Sequence, residues 1–336
     1  MPVPVLKEVA QIAERSVLDL WGGELGQLPA LYLSTGTRGG GNSKIFSLAQ
    51  GAPVTAWVDE NIRDGAETIG KIRDDGDRVY AFYETDGPNF IISRPIAGGP
   101  GGWSGEPLPG DDFVGGRGLL CLPDGTVYAG GAAEWNAGTR RGELYKGEHG
   151  SFGSPIRSLT PGILWECEVD DADAVWEFWH AVGESEAVAY RDGVVVAAPS
   201  SNVACAGAFG GAMYATGNQP IEEPSADVKR FTGSSWETVY TFPGEANGDH
   251  VIRINREPPE LWAISQRTFQ VAWSLDGNTW EPVVVPSIQT GSDTNQYTGV
   301  ALFHRRVFVA TRDTARGNIR IFADGVSSDD LHIQVI

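Results

Sequence analysis

An apolar residue followed directly by an aromatic recurs seven times along this chain, as Leu31-Tyr32, Val79-Tyr80, Val127-Tyr128, Val175-Trp176, Met213-Tyr214, Leu261-Trp262 and Val307-Phe308. The aromatics lie 48, 48, 48, 38, 48 and 46 residues apart. A unit that returns every roughly 40 to 50 residues restricts the chain to a propeller, a solenoid or an array, because each copy buries its apolar surface only against its neighbours. The clearest copy spans 260–280. Leu261, Trp262, Ala263 and Ile264 form a short apolar run, Val271 and Trp273 alternate with Ala272 and Ser274, and Asp276-Gly277 is a turn pair. That periodicity is a sheet's.

Upstream of each aromatic lies another short strand, reached through turns such as Asp74-Asp75-Gly76-Asp77 and Pro123-Asp124-Gly125-Thr126. Gly, Asp and Pro suit tight hairpins because these need a positive or preset φ. A third strand follows, as in Asn89-Phe90-Ile91-Ile92 and Ile319-Arg320-Ile321-Phe322, and in most units a fourth. Four antiparallel strands in each of seven units predict an all-β, seven-bladed β-propeller with a short N-terminal extension. Residues 16–336 then form one domain. Residues 1–15 precede the first blade, and three readings stay open for them: a helix capping one face, a partner-docking arm, or a strand completing the last blade. The period-two run Leu331 to Ile336 is expected to help close the ring.

With a formal charge of −19 the chain is a poor match for nucleic acid or anionic membrane, and no apolar run approaches spanning length. The N-terminus lacks the apolar core of a secretory signal. This predicts synthesis in the cytoplasm, with any exit by a route that leaves no N-terminal mark, such as incorporation into a virion. Three cysteines, Cys121, Cys167 and Cys205, make no disulfide framework and read as buried thiols on the innermost strands of three consecutive blades. Glu166, Glu168, Asp170, Asp171 and Asp173 invite a calcium reading, but counting from Asp170 the sixth position is Val175 and the twelfth Ala181. A solvated acidic turn fits better, so no cofactor is expected, with adventitious calcium as the alternative.

Ser274-Leu275-Asp276-Gly277-Asn278-Thr279-Trp280 resembles the Asp box of sialidases and related propellers, with one residue fewer between Asp and Gly. Phe231-Thr232-Gly233-Ser234-Ser235-Trp236 is a degenerate counterpart, also similar to kelch units. The resemblance implies that Asp276 holds the turn amides, Gly277 takes positive φ and Trp280 inserts between sheets. It does not extend to activity: the early Arg-Ile-Pro motif of sialidases has no match in blade one, and no tyrosine-glutamate pair can be placed.

Propeller topology collects the turns joining strands one to two and three to four on one face, which is expected to be acidic. The other face receives Arg38, Arg140, Arg141, Arg267, Arg312 and Arg316, with Trp135 and His250 nearby. Arginine forks and aromatics on loops of a rigid scaffold suit polar ligands and protein interfaces. The chain therefore reads as a non-catalytic binding or assembly propeller, in a phage particle (tail or receptor-binding) or another extracellular assembly. That face would take a protein or glycan partner, and homo- or hetero-oligomeric assembly stays open. A glycan-active enzyme, sialidase-like or with two carboxylates, is the alternative.

Overall fold

The innermost strands of the blades are Val17–Trp21, Thr68–Asp74, Gly116–Cys121, Ile163–Val169, Val203–Phe209, Gly248–Ile254 and Thr298–Phe303. Each touches the next, and the last touches the first, so they form a closed ring. The computed structural model describes residues 3–14, 16–23, 26–36, 43–62, 66, 68–85, 90–98, 100–109, 116–136, 139–148, 151–180, 187–199, 203–217, 227–244, 248–265, 269–286, 298–313 and 316–325; for 106, 116, 117, 133–136, 139, 140, 204, 217, 248 and 249 it describes the backbone alone. Seven antiparallel sheets stand around the ring, making a seven-bladed β-propeller. In blade three the outer position is shared by two short pieces, Ser151–Phe152 and Arg157–Leu159, both paired with Thr139–Glu148.

Each recurring aromatic lies on the second strand of its blade, in Ala30–Thr35, Arg78–Glu84, Thr126–Asn136, Val175–His180, Ala212–Gly217, Glu260–Ser265 and Arg306–Asp313. Blades are covered on both faces, so these strands read as near-continuous apolar runs, and Leu31, Tyr32 and Leu33 are all buried. The core is accordingly divided into seven clusters, each spanning the seam between adjacent blades. The acidic turns have a structural reason. Tyr80 donates to Asp75 at 2.7 Å, Trp176 to Asp170 at 2.9 Å and Trp262 to Glu260 at 2.7 Å. A buried aromatic with a polar tip needs an acceptor, and the blade's own first turn supplies one.

The N-terminal segment settles as the outer strand of blade seven. Lys7–Ile12 pairs antiparallel with Asn318–Ala323, from Lys7 opposite Ala323 to Ile12 opposite Ile319. Of the three readings left open for residues 1–15, the strand completing the last blade is the one observed, and no helix forms over 3–14; the run at 331–336, expected to help close the ring, lies outside the described residues. Val9, Ala10 and Ile12 enter the cluster between blades seven and one, so this strand joins both ends of the ring. Trp103, of the glycine-rich stretch in blade two, packs edge-on against Tyr32 of blade one and donates to Glu60 at 3.2 Å.

The turn at 274–280 behaves as its resemblance implies. Asp276 accepts from the amides of Asn278 at 2.8 Å and Thr279 at 2.7 Å, and these bonds hold its carboxyl down at about 2. Trp280 stacks on Tyr240 of blade five at 5.7 Å. Gly277 has φ +72°, and a Cβ there would sit 2.0 Å from the Tyr214 hydroxyl. Gly277→Ala is therefore expected to cost about 2 kcal/mol from backbone strain and the displaced tyrosine. Denaturant unfolding measures it; a change near zero would show that the turn opens without penalty.

Candidate functional site

Six of the seven innermost strands carry a β-bulge soon after they begin, at Leu18, Gly70-Lys71, Arg117, Trp165, Ala204 and Asp249. Among the described residues, the innermost strand of blade seven pairs without a shift. A bulge reverses which way the following residues point. The residue after the bulge is thereby turned toward the next blade. Asp19 accepts from the amide of Ile72 at 2.9 Å, Cys205 lies 3.6 Å from the carbonyl of Val251, and His250 Nε2 lies 2.5 Å from that of Thr298. At the same position in blade three, Gly118 makes room for Leu164, since a Cβ would lie 2.7 Å from it.

The bulges also bring charge to the channel. Lys71 of blade two pairs with Glu166 of blade four, forming a chord in front of the glycine-bearing strand of blade three. Arg73 donates to Asp19 at 2.7 Å and lies over the Trp21 ring at 4.5 Å. Burial alone pushes the Lys71 ammonium down, but the facing Glu166 carboxylate outweighs it and holds the proton more firmly than usual. These are two neutral pairs. Glu168 is the remaining carboxylate. It accepts from the Val169 amide at 3.0 Å and, among the described ion pairs, takes part in none. Burial, then repulsion from Glu166, pushes its carboxyl up to about 7. The thiols of Cys121, Cys167 and Cys205 are raised by burial and so stay protonated.

The candidates named from sequence fall in two described places. Trp135, Arg140 and Arg141 lie on the hairpin of blade three, where Trp135 stands opposite Arg140 and Glu134 opposite Arg141. Arg141 pairs with Glu143 at 3.1 Å, and Glu143 accepts from the buried Tyr145 hydroxyl, so Arg141 is tied to the blade interior. His250, Arg312 and Arg316 lie on blades six and seven. Half-buried His250 meets Thr298, whose partner across the ladder is Thr311 beside Arg312, and exposed Arg316 lies 3.8 Å from Asp313. Arg38 and Arg267 lie outside the described residues.

The acidic stretch of blade four divides at the end of its strand. Glu166 and Glu168 face the channel, Asp170 holds Trp176, Arg191 and two amides of its own turn, and Asp171 holds the Gly211 amide at 2.6 Å and Arg253 at 2.7 Å. Asp19, Lys71 and Arg73 were not singled out from sequence. The signal was there: Asp19 is a lone charge in the apolar strand Val17–Trp21, and Lys71 and Arg73 alternate with apolar positions in Thr68–Asp74.

No family model matches the sequence, and no curated protein matches it. Solved structures do match. The virginiamycin B lyase of Staphylococcus aureus, in complex with quinupristin, is 12% identical with TM-score 0.60, covering 94% of this chain and 98% of that one. The PQQ-bound aldose sugar dehydrogenase of Streptomyces coelicolor is 13% identical with TM-score 0.52, covering 96% and 98%. A xyloglucanase of Xanthomonas campestris is 13% identical with TM-score 0.57, covering 93% of this chain and 54% of that one. The likeness is one of fold. Enzymes stand among these neighbours, and identities this low carry the propeller architecture without its chemistry.

Proposed function

We propose that this propeller is a binding or assembly module that meets a protein or glycan partner through the hairpin of blade three, in a virion or another extracellular assembly. The observation that supports this reading is the length of that hairpin. Among the described residues the pairing of the innermost strand of blade three reaches Gly116 opposite Gly131, whereas the hairpin continues from Ala132 opposite Gly142 to Asn136 opposite Thr139. At about 3.3 Å per residue this extends the ribbon by roughly 13 Å. Its base is braced by Arg157–Leu159 and by the chain of contacts from Arg141 through Glu143 to Tyr145. Its tip carries a tryptophan opposite an arginine, two residue types enriched where binding energy concentrates.

The test is a glycan array and affinity capture with the whole chain and with the double variant W135A/R140A. The variant is expected to weaken partner binding at least about tenfold, with the unfolding midpoint unchanged. Binding that survives it would remove the hairpin from the interface. The second reading, a glycan-active enzyme, draws on one observation: two carboxylates two residues apart on one channel strand differ in setting, Glu166 paired with Lys71 and Glu168 pushed up to about 7 by burial and by Glu166. Against it, the Lys71–Glu166 chord narrows the space a sugar would need. Turnover of a fluorogenic glycoside, abolished by Glu168→Gln, would replace the binding reading.

A further inference from the structure

We infer that the mouth of the central channel is a site for a small organic cation, a primary alkylammonium group, which Glu168 receives from the acidic face of the ring. The inference is independent of the hairpin and rests on charge arithmetic within one cluster. Lys71 is matched by Glu166 and Arg73 by Asp19, leaving one carboxylate over. One monovalent cation neutralises that remainder. Among the described residues no three acidic or imidazole groups gather as a metal site would require, so the class is a hydrogen-bonding ammonium rather than a metal ion.

The position allows entry. Glu168 lies two residues, roughly 7 Å along the strand, inside the turn that begins at Asp170. Its side chain is half-buried, and Lys71 and Arg73 beside it keep side-chain exposures of 14% and 15%, so the cluster is reached from the mouth. The turns around that mouth supply Asp74, Asp75, Asp170 and Asp171, which draw cations toward it.

Among the described side chains, the titratable groups of the cluster that holds Glu168 come from four blades. Glu166 and Cys167 share its strand, Lys71 and Arg73 come from blade two, Asp19 from blade one and Cys205 from blade five. At the rim, Asp171 is taken by Arg253. From blade three, Arg117 forms the bulge, where the backbone alone is described. The protonated form of Glu168 competes with the ligand. Binding therefore expels a proton and is favoured above neutral pH.

n-Butylamine is the probe, measured by calorimetry on the full chain in buffers of different ionisation enthalpy. Saturable 1:1 binding is expected, with about half a proton released per ligand at pH 7 and affinity falling about tenfold per pH unit below that. Glu168→Gln keeps the shape of the side chain and removes one of 44 acidic residues, so diffuse attraction to the −19 surface is nearly unchanged. It is expected to lose at least about tenfold in affinity together with the proton release. Three results overturn the inference: no saturable binding, equal binding by the variant, or affinity that is flat from about pH 5 to pH 8.

Discussion

Arg320→Ala is expected to open the ring at its seam, at a cost of about 3–5 kcal/mol, because it removes the one guanidinium that two carboxylates share in a nearly dry interface. Arg320 donates to Glu8 on the closing N-terminal strand, at 3.0 Å from Nε and through Nη2, and to Asp313 on its own blade at 3.2 Å. The side-chain exposures of Arg320 and Asp313 are 8% and 4%, so water cannot replace the guanidinium. The same unit continues through Gln11, which donates to Glu8 at 2.6 Å and accepts from Asn318 at 2.8 Å. Apolar contacts of Val9, Ala10 and Ile12 hold the strand in place, and this polar chain fixes which rung it occupies. The double variant E8Q/R320M tests the mechanism: removing both charges leaves Asp313 with its contacts to Arg316 and is expected to recover part of the loss. Urea unfolding of the single and double variants measures both. Equal losses would show that the apolar contacts alone close the ring.

That closure was hard to read from sequence for a specific reason. In Lys7–Ile12 a bulge between Glu8 and Ala10 interrupts the alternation, so Val9, Ala10, Gln11 and Ile12 are all buried and neither a period of two nor of 3.6 fits. Around their recurring aromatics the second strands had no such interruption; the one register shift described in them, between Ala132 and Glu134, lies beyond Tyr128. Tyr32, Tyr80, Trp176 and Trp262 sit where both faces of a sheet are covered, and that environment admits large apolar side chains at a fixed spacing. The same logic explains what the channel concealed. Lys71 and Glu166 are 95 residues apart and meet only because the blades close into a circle, and each lies at or just past a bulge that changes the side its neighbours face. Glu166 and Glu168 also look continuous with Asp170, Asp171 and Asp173, so one acidic run was read where the strand end at Val169 separates channel from rim. The Asp276 turn lay at the other extreme. The hydrogen bonds of Asp276 itself all run to residues within three positions of it, so a short motif sufficed.

The pH dependence of stability should carry the mark of Glu168. Its carboxyl is raised from 4.5 in the unfolded chain to about 7 in the fold, first by burial and then by Glu166. The folded state therefore holds this proton more tightly than the unfolded state does. The associated stability is whole below about pH 4.5, declines as pH climbs and is gone above about 7. A shift from 4.5 to about 7 corresponds to about 3 kcal/mol between those limits. Glu168→Gln cannot ionise, so its unfolding free energy lacks this slope. Urea unfolding near pH 5 and pH 8 is expected to show the wild type losing about 3 kcal/mol more than the variant over that interval. Asp74, raised by its own burial, contributes a slope of the same sign in both proteins and cancels in the difference. If the two proteins track each other across the interval, Glu168 is solvated like an ordinary surface carboxylate. In that case the channel holds three satisfied carboxylates, and no charge is left over for a ligand to neutralise.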